Sequence, residues 1–402
     1  MRMAHYLLAV AACAAIFAAA CPAVAQEKLE PIKKVGIGKN REFIVNGKPF
    51  LPVMSWAQAT RSYGMLRGLE FNTFCGTDKG KQAADAAQAA GGYVIPTFSQ
   101  DLVGNPYVLA YIHGDEPDMP EKGKPKHNED ELAAYYNKVR KADSSRPVLM
   151  TFTAHFMSSK TDKYSESVKK KIYPAFVKHC DVVGFDTYPI YGSGMPCNLC
   201  DVGIGVAELC KIAGPKRPVY AWIETSKGSK WMTYEKQPDV LPIHTRAEVW
   251  MALIEGATAI GYFTHAWAPS FTEFAPTAEM RAELKRLNGQ ITTLAPAILA
   301  EPAKAKVSMK LSGDLNCHLK ATDLDGTTYI FAQNLDLGPN ADKLKQFQPI
   351  SPRGGKATIT VAGLAAGTTI EVVDENRTIT SKAGQFEDEF NPLAEHVYKI
   401  GK

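Results

Sequence analysis

Two apolar runs in this chain break off into acid. Val108 to Ile112 leads into His113-Gly114-Asp115-Glu116-Pro117-Asp118, and Val219 to Ile223 leads into Glu224. A short apolar run that stops at a carboxylate reads as a buried strand carrying a polar group on its end. Two carboxyl groups held about 5 Å apart across a sugar ring can share the cleavage of a glycosidic bond. One protonates the leaving oxygen and the other attacks the anomeric carbon, with retention of configuration. The plainer readings are that Asp115-Glu116-Pro117 opens a helix, where acids and a first-turn proline are at home, and that Glu224 is a solvated or salt-bridged strand end.

The elements that must position these groups follow from periodicity. Strand-like runs fall at Leu51–Trp56, Phe71–Cys75, Tyr93–Phe98, Val108–Gly114, Pro147–Thr153, Val182–Tyr188, Val219–Glu224 and Ala259–His265. Several are near-continuously apolar, as parallel strands covered on both faces must be. Helical patterns lie between most of them, at Lys79–Ala90, Asn128–Ala142, Ser165–Lys178, Val202–Ala213, Arg246–Gly256 and Thr277–Leu294, while Ser99–Tyr107 is too short for a full helix. Eight such units over about 250 residues predict an α/β fold of the (β/α)8 TIM-barrel type, with reacting groups at the C-terminal strand ends. A doubly wound open sheet is the competing architecture, but no G-x-G-x-x-G or P-loop follows a strand. Asn46-Gly47 between two short β-like runs predicts a hairpin ahead of the barrel. Beyond Ala303 the rhythm becomes alternating strands without helices, which predicts a small antiparallel β-sandwich. The domain boundaries are therefore 1–25 for a signal peptide, 26–302 for the hairpin and barrel, and 303–402 for the sandwich.

At 402 residues and a formal charge of +4, with no long basic run, the chain gives no electrostatic reason to bind nucleic acid or an anionic membrane. Arg2, the apolar stretch Tyr6 to Ala20 and Ala23-Val24-Ala25 before Gln26 form a secretory signal, which predicts a secreted or periplasmic protein. Ala18-Ala19-Ala20-Cys21 loosely resembles a lipoprotein cleavage site, the alternative fate of the same segment. No apolar stretch reaches the roughly 20 residues of a membrane span. Cys13 and Cys21 fall in the signal. A loop-stapling disulfide among Cys197, Cys200 and Cys210 is favoured over zinc, because no second Cys or His pair follows Cys197-Asn198-Leu199-Cys200 at a matching distance. Neither a metal nor a cofactor is expected, and the sequence carries no signal for an oligomeric state.

Other residues at strand ends belong to the same barrel mouth: Trp56 and Gln58 after the first strand, His155 after the fifth, Asp186 and Tyr188 at the sixth, and His265 and Trp267 at the eighth. Trp231 stands in a long excursion, Lys227–Pro242, after the seventh. Aromatic faces suit the apolar faces of sugars, and Gln, His and Asp suit hydroxyl groups, so the partner these residues imply is a carbohydrate.

With Glu116 after the fourth strand, Glu224 after the seventh, Glu255-Gly256-Ala257-Thr258-Ala259-Ile260-Gly261-Tyr262 leading into the eighth, and Glu395-His396-Val397-Tyr398-Lys399-Ile400 near the end of the appended domain, the chain resembles the retaining glycoside hydrolases of clan A. That resemblance implies that Glu116 is the acid/base, that Glu224 is the nucleophile, and that the substrate is a β-linked oligo- or polysaccharide. One residue departs from it. Many families of the clan carry Asn before the acid/base, whereas this chain carries Asp115, which accepts a hydroxyl hydrogen bond but donates no amide N–H. The resemblance is thus to a less studied family with Asp-Glu-Pro at the fourth strand. A carbohydrate-binding barrel without turnover and a metal-dependent hydrolase using Asp115, His155 or His265 are the competing readings.

Overall fold

The computed structural model describes residues 28–401. The signal segment and the Cys21 alternative lie outside the described residues. Eight parallel strands form one sheet: β1 (Val53–Trp56), β2 (Thr73–Thr77), β3 (Tyr93–Pro96), β4 (Tyr111–Ile112), β5 (Val148–Thr153), β6 (Val182–Asp186), β7 (Val219–Glu224) and β8 (Ala259–Phe263). Their order is β3-β2-β1-β8-β7-β6-β5-β4. Parallel bridges from Val94 to Val108 and from Thr97 to Ile112 join β3 to β4 and close the ring. The open-sheet alternative is thereby set aside.

Period-two alternation sorts the side chains. Val219, Ala221 and Ile223 of β7 join the shell that packs on the helices. Tyr220 and Trp222 join an inner cluster with Met54, Cys75, Ile112 and Leu149. A three-stranded antiparallel sheet at Val35–Ile37, Phe43–Val45 and Lys48–Phe50 lies ahead of the barrel. Its Val35, Phe43 and Val45 belong to the same inner cluster, and Phe50 meets Tyr93 edge to face at 5.4 Å. The Asn46-Gly47 hairpin thus stoppers the N-terminal end of the barrel.

The outer ring comprises α1 (Tyr63–Arg67), α2 (Gly80–Ala90), α3 (Glu129–Ala142), α4 (Glu166–Phe176), α5 (Asp201–Ala213), α6 (Pro242–Ile254) and α7 (Ala278–Ile298). The short α1 was not foreseen. The third crossover holds only a single 3-10 turn, Gln100–Leu102. Helix α3 begins on a capping box, with Asn128 accepting from the Glu131 N–H while the Glu131 carboxylate takes the Asn128 N–H.

The C-terminal strands form a six-stranded and a three-stranded antiparallel sheet. Their common core includes Ile330, Ile359, Ile370, Phe386 and Tyr398. Strand Gln385–Phe390 escaped the sequence reading because acids separate its two buried residues, Phe386 and Phe390. The sandwich is fused to the barrel rather than tethered to it. Phe331 stacks on Trp250 of α6 at 6.0 Å, and Gln333 donates to the Ala247 carbonyl. His318 pairs with Glu255, and Arg246 with Glu395. A sandwich loop reaches further, where the Phe347 N–H and the Gln346 side chain donate to the carbonyls of Gly194 and Ser193.

The expected disulfide does not form. Cys197, Cys200 and Cys210 are free thiols whose nearest polar contacts are, respectively, Asn198 and the Leu344 carbonyl, the Leu335 carbonyl, and the carbonyls of Glu255 and Gly256. The helical path from 197 to 210 spreads them along the junction with the sandwich.

Candidate active site

The loop after β4 is locked before it presents anything. Asp118 is fully buried and accepts from the Thr153 N–H at 2.8 Å, the Thr153 hydroxyl at 2.7 Å and the Tyr173 hydroxyl at 2.9 Å. The Tyr164 hydroxyl donates to the Asp118 carbonyl at 2.7 Å. On the strand side, His113 holds the His179 carbonyl with Nε2 at 2.8 Å, and the Tyr135 hydroxyl caps the Ile112 carbonyl. Between these anchors Glu116 adopts φ +48°, the left-handed region that non-glycine residues avoid, directly before Pro117. Strained backbone of this kind persists only where its surroundings over-determine it.

Glu116 lines two adjoining cavities. The first, of about 240 Å³, is walled by Trp56, Trp222, Trp231, Trp267, Phe263 and Tyr188, with Asp115, Asp186 and Lys230 as its charged residues. The second, of about 210 Å³, is lined by polar groups including Thr153, His155, Lys160, Ser193, Asn198 and Asp201. Glu116, Met119, Asp186 and Tyr188 belong to both, so they stand where an aromatic lobe meets a polar one. Two glycines make room for the tryptophans: a Cβ on Gly76 would lie 2.5 Å from the Trp56 ring, and one on Gly261 would lie 2.1 Å from the Trp222 ring.

The carboxyl groups here are electrostatically frustrated. Burial, then the charges of Glu116 and Asp115, pushes Asp186 well above the ordinary carboxylate range, and Asp186 hydrogen-bonds Glu116. Burial also raises Glu116, while the bond from Asp186 and the ammonium groups of Lys126 and Lys230 pull it back. The pair therefore holds a proton between its two carboxyl groups, with Asp186 the stronger holder. Asp115 is raised to about 7 by burial and then by the Glu116 charge, against the pull of Lys126.

Glu224 is placed elsewhere. Its side chain is fully buried, and its two oxygens accept the backbone N–H groups of Ile190 at 2.9 Å and Tyr191 at 2.6 Å. Glu248 of α6 hydrogen-bonds it from behind and is pushed well above its ordinary range by burial and by the Glu224 charge. Burial and the Glu224 charge outweigh the pull of the Glu224 N–H on Glu248, so Glu248 keeps the proton and gives the hydrogen bond to the Glu224 carboxylate. Glu224 thus clamps the loop after β6 to the end of β7 and lines neither lobe. The structure does not bring it into the cavities that Glu116 lines.

Of the other foreseen residues, Trp56, Asp115, Asp186, Tyr188, Trp231 and Trp267 line the aromatic lobe, and His155 lines the polar one. Gln58 and His265 line neither. The Gln58 amide nitrogen lies 3.3 Å from His265 Nε2 and donates to the Glu273 carbonyl, so the two residues brace the wall behind Trp267. Met119, Lys230 and Phe263 were missed as lining residues, and Trp222, which the sequence leaves open between core and sugar platform, lines the lobe as well. Trp222 was legible through parity, since it shares a face of β7 with inward-pointing Tyr220. Nothing local marks Lys230.

Comparison with solved structures places this geometry in a known architecture. AmyP in complex with maltotriose matches at TM-score 0.51 and 8% identity, over 87% of this chain and 97% of that one. The likeness is one of fold. A GH30 endoxylanase from Clostridium papyrosolvens aligns over 94% of this chain and 98% of its own, at 12% identity and TM-score 0.48. An alpha-amylase from Geobacillus thermoleovorans complexed with acarbose aligns over 91% and 100%, at 9% identity and TM-score 0.48. No family model matches the sequence, and no curated protein matches it. Among the described residues no helix is long and apolar enough to cross a membrane, and no group of three or more His, Cys, Asp or Glu side chains could hold a metal ion.

Proposed function

We propose that the protein is a glycoside hydrolase that holds one sugar in the aromatic lobe and its leaving group in the polar lobe. The observation that carries this is the Glu116–Asp186 pair at the junction of the lobes, beneath walls of tryptophan. Glu116 takes the shared proton from Asp186 and gives it to the glycosidic oxygen as the bond to the anomeric carbon breaks and the electron pair goes to that oxygen, leaving the pair ionised. Asp186 is a positioning residue that holds the shared proton. Asp115 lines only the aromatic lobe, and there it takes the part first assigned to Glu224, facing the anomeric carbon in a double displacement with retention. Lys126 favours the charged form of Asp115, and Lys126 and Lys230 together favour that of Glu116. The route to a secreted or periplasmic location is the N-terminal signal read from the sequence.

The deciding experiment is hydrolysis of a panel of aryl glycosides and polysaccharides by the wild type and by Asp115→Ala, with azide supplied to the variant. Turnover with retention, lost in the variant and recovered as a glycosyl azide, supports the assignment. An inverted first product removes Asp115 from the nucleophile's part, and sugar binding without turnover across the panel overturns the hydrolase reading.

A further inference from the structure

The aromatic lobe opens onto a shelf that its walls alone do not require. Trp231 is 60% exposed, Trp267 43% and Phe271 56%, among the most exposed large apolar side chains of the described residues. The two tryptophans line the lobe, and Phe271 does not. It lies beyond them, its ring 5.0 Å from that of Trp267. Exposed apolar groups gathered in one place on a folded surface mark a contact site.

The shelf is also held rigid from behind. His265 stacks under Trp267 at 6.4 Å and under Phe271 at 5.9 Å. Ala266 and Thr272 exchange backbone hydrogen bonds of 3.0 and 2.8 Å, closing the loop that carries Phe271, and the Trp267 N–H is fixed on the Gly228 carbonyl at 2.7 Å. Rigid aromatic surfaces bind with little loss of side-chain entropy. Lys230 adds a polar edge: its ammonium lies 5.1 Å from the Trp267 ring and 5.6 Å from that of Trp231, and it makes no ion pair among the described residues. Aromatic faces bordered by a free hydrogen-bond donor suit a sugar ring, which offers apolar C–H faces and hydroxyl edges.

We infer that a sugar chain continues from the aromatic lobe across Trp267 and Phe271, with Trp231 and Lys230 along its side. The substrate is then an oligo- or polysaccharide of three or more units, with one unit in the polar lobe, one in the aromatic lobe and at least one on the shelf. This rests on the hydrolase reading, which supplies the order of the lobes.

The test is calorimetric binding of cello-, xylo-, laminari- and malto-oligosaccharides of two to six units to Glu116→Gln, with and without Phe271→Ala, beside hydrolysis of the same ladders by the active enzyme and by Phe271→Ala alone. The expected result is a rise in affinity of about tenfold on passing from two units to three or more, and a fall of about tenfold in the long-to-short ratio of kcat/KM in Phe271→Ala. Such a ratio corresponds to about 1.4 kcal/mol. Turnover with no change in that ratio overturns the shelf and leaves the hydrolase standing. Failure of every ladder to bind or react overturns both.

Discussion

In the proposed mechanism Glu116 works through the proton it shares with Asp186. Glu116→Gln keeps the shape and removes the proton, so kcat should fall by about 10²–10⁴-fold, the usual contribution of a general acid, with the melting temperature little changed. Asp186→Asn is subtler. Asn donates to Glu116 without ever becoming a like charge, so the ionised form of Glu116 is favoured. The alkaline limb of kcat/KM should therefore move to lower pH, and a limb left in place would show that the two carboxyls are not coupled. Because Asp115 ionises near 7 while the Glu116–Asp186 pair must keep its proton, the wild-type profile should be bell-shaped. The Asp-Glu pair was legible because an apolar run ended there. The partnership with Asp186 was not, since only the order of the sheet, with β5 between them, brings the ends of β4 and β6 together.

At the scale of elements, the question is what a strand end does with its last side chain. Parity on β7 puts Tyr220 and Trp222 inside, and the same count would aim Glu224 at the cleft. Instead two peptide N–H groups of the loop after β6 capture it, and those belong to a segment more than thirty residues away in sequence. No local pattern encodes that choice. Glu224→Gln turns one acceptor oxygen into a donor facing an N–H, which should cost about 1–3 kcal/mol. A lower melting temperature with turnover largely retained is the expected outcome. Loss of turnover at an unchanged melting temperature would return Glu224 to the chemistry.

For the whole molecule, buried titrating groups set the response to pH. Asp118 and Glu395 are raised to about 7, chiefly by burial, so each keeps a proton that the unfolded chain releases near 4. Their contribution to stability is complete below that point and is lost as pH climbs through 7. Burial lowers His113 and His244 to about 4, and their contribution is lost only as pH falls from 6.5 towards 4. Above 6.5 the carboxyls outweigh Lys320, which burial lowers to about 8 and which gains stability as pH rises, so the melting temperature should drop between pH 6.5 and 7.5 in calorimetry, and a rise there would contradict the burial of the carboxyls. The barrel and sandwich were both legible, because near-continuous apolar strands between amphipathic helices, followed by alternation without helices, leave few other architectures. Their fusion was hidden, because Trp250, Phe331 and Gln333 look like ordinary core and strand residues until they meet.

A further contact between sandwich and barrel reaches the polar lobe. The loop carrying Gln346 and Phe347 grips Ser193 and Gly194, and Ser193 lines the polar lobe. The C-terminal portion is therefore not a detachable module. A chimera that exchanged it for another sandwich would inherit Asp115, Glu116 and Asp186 but an altered Ser193 wall, so on the proposed function acceptor preference should travel with the tail of the chain rather than with the strands that hold the acids.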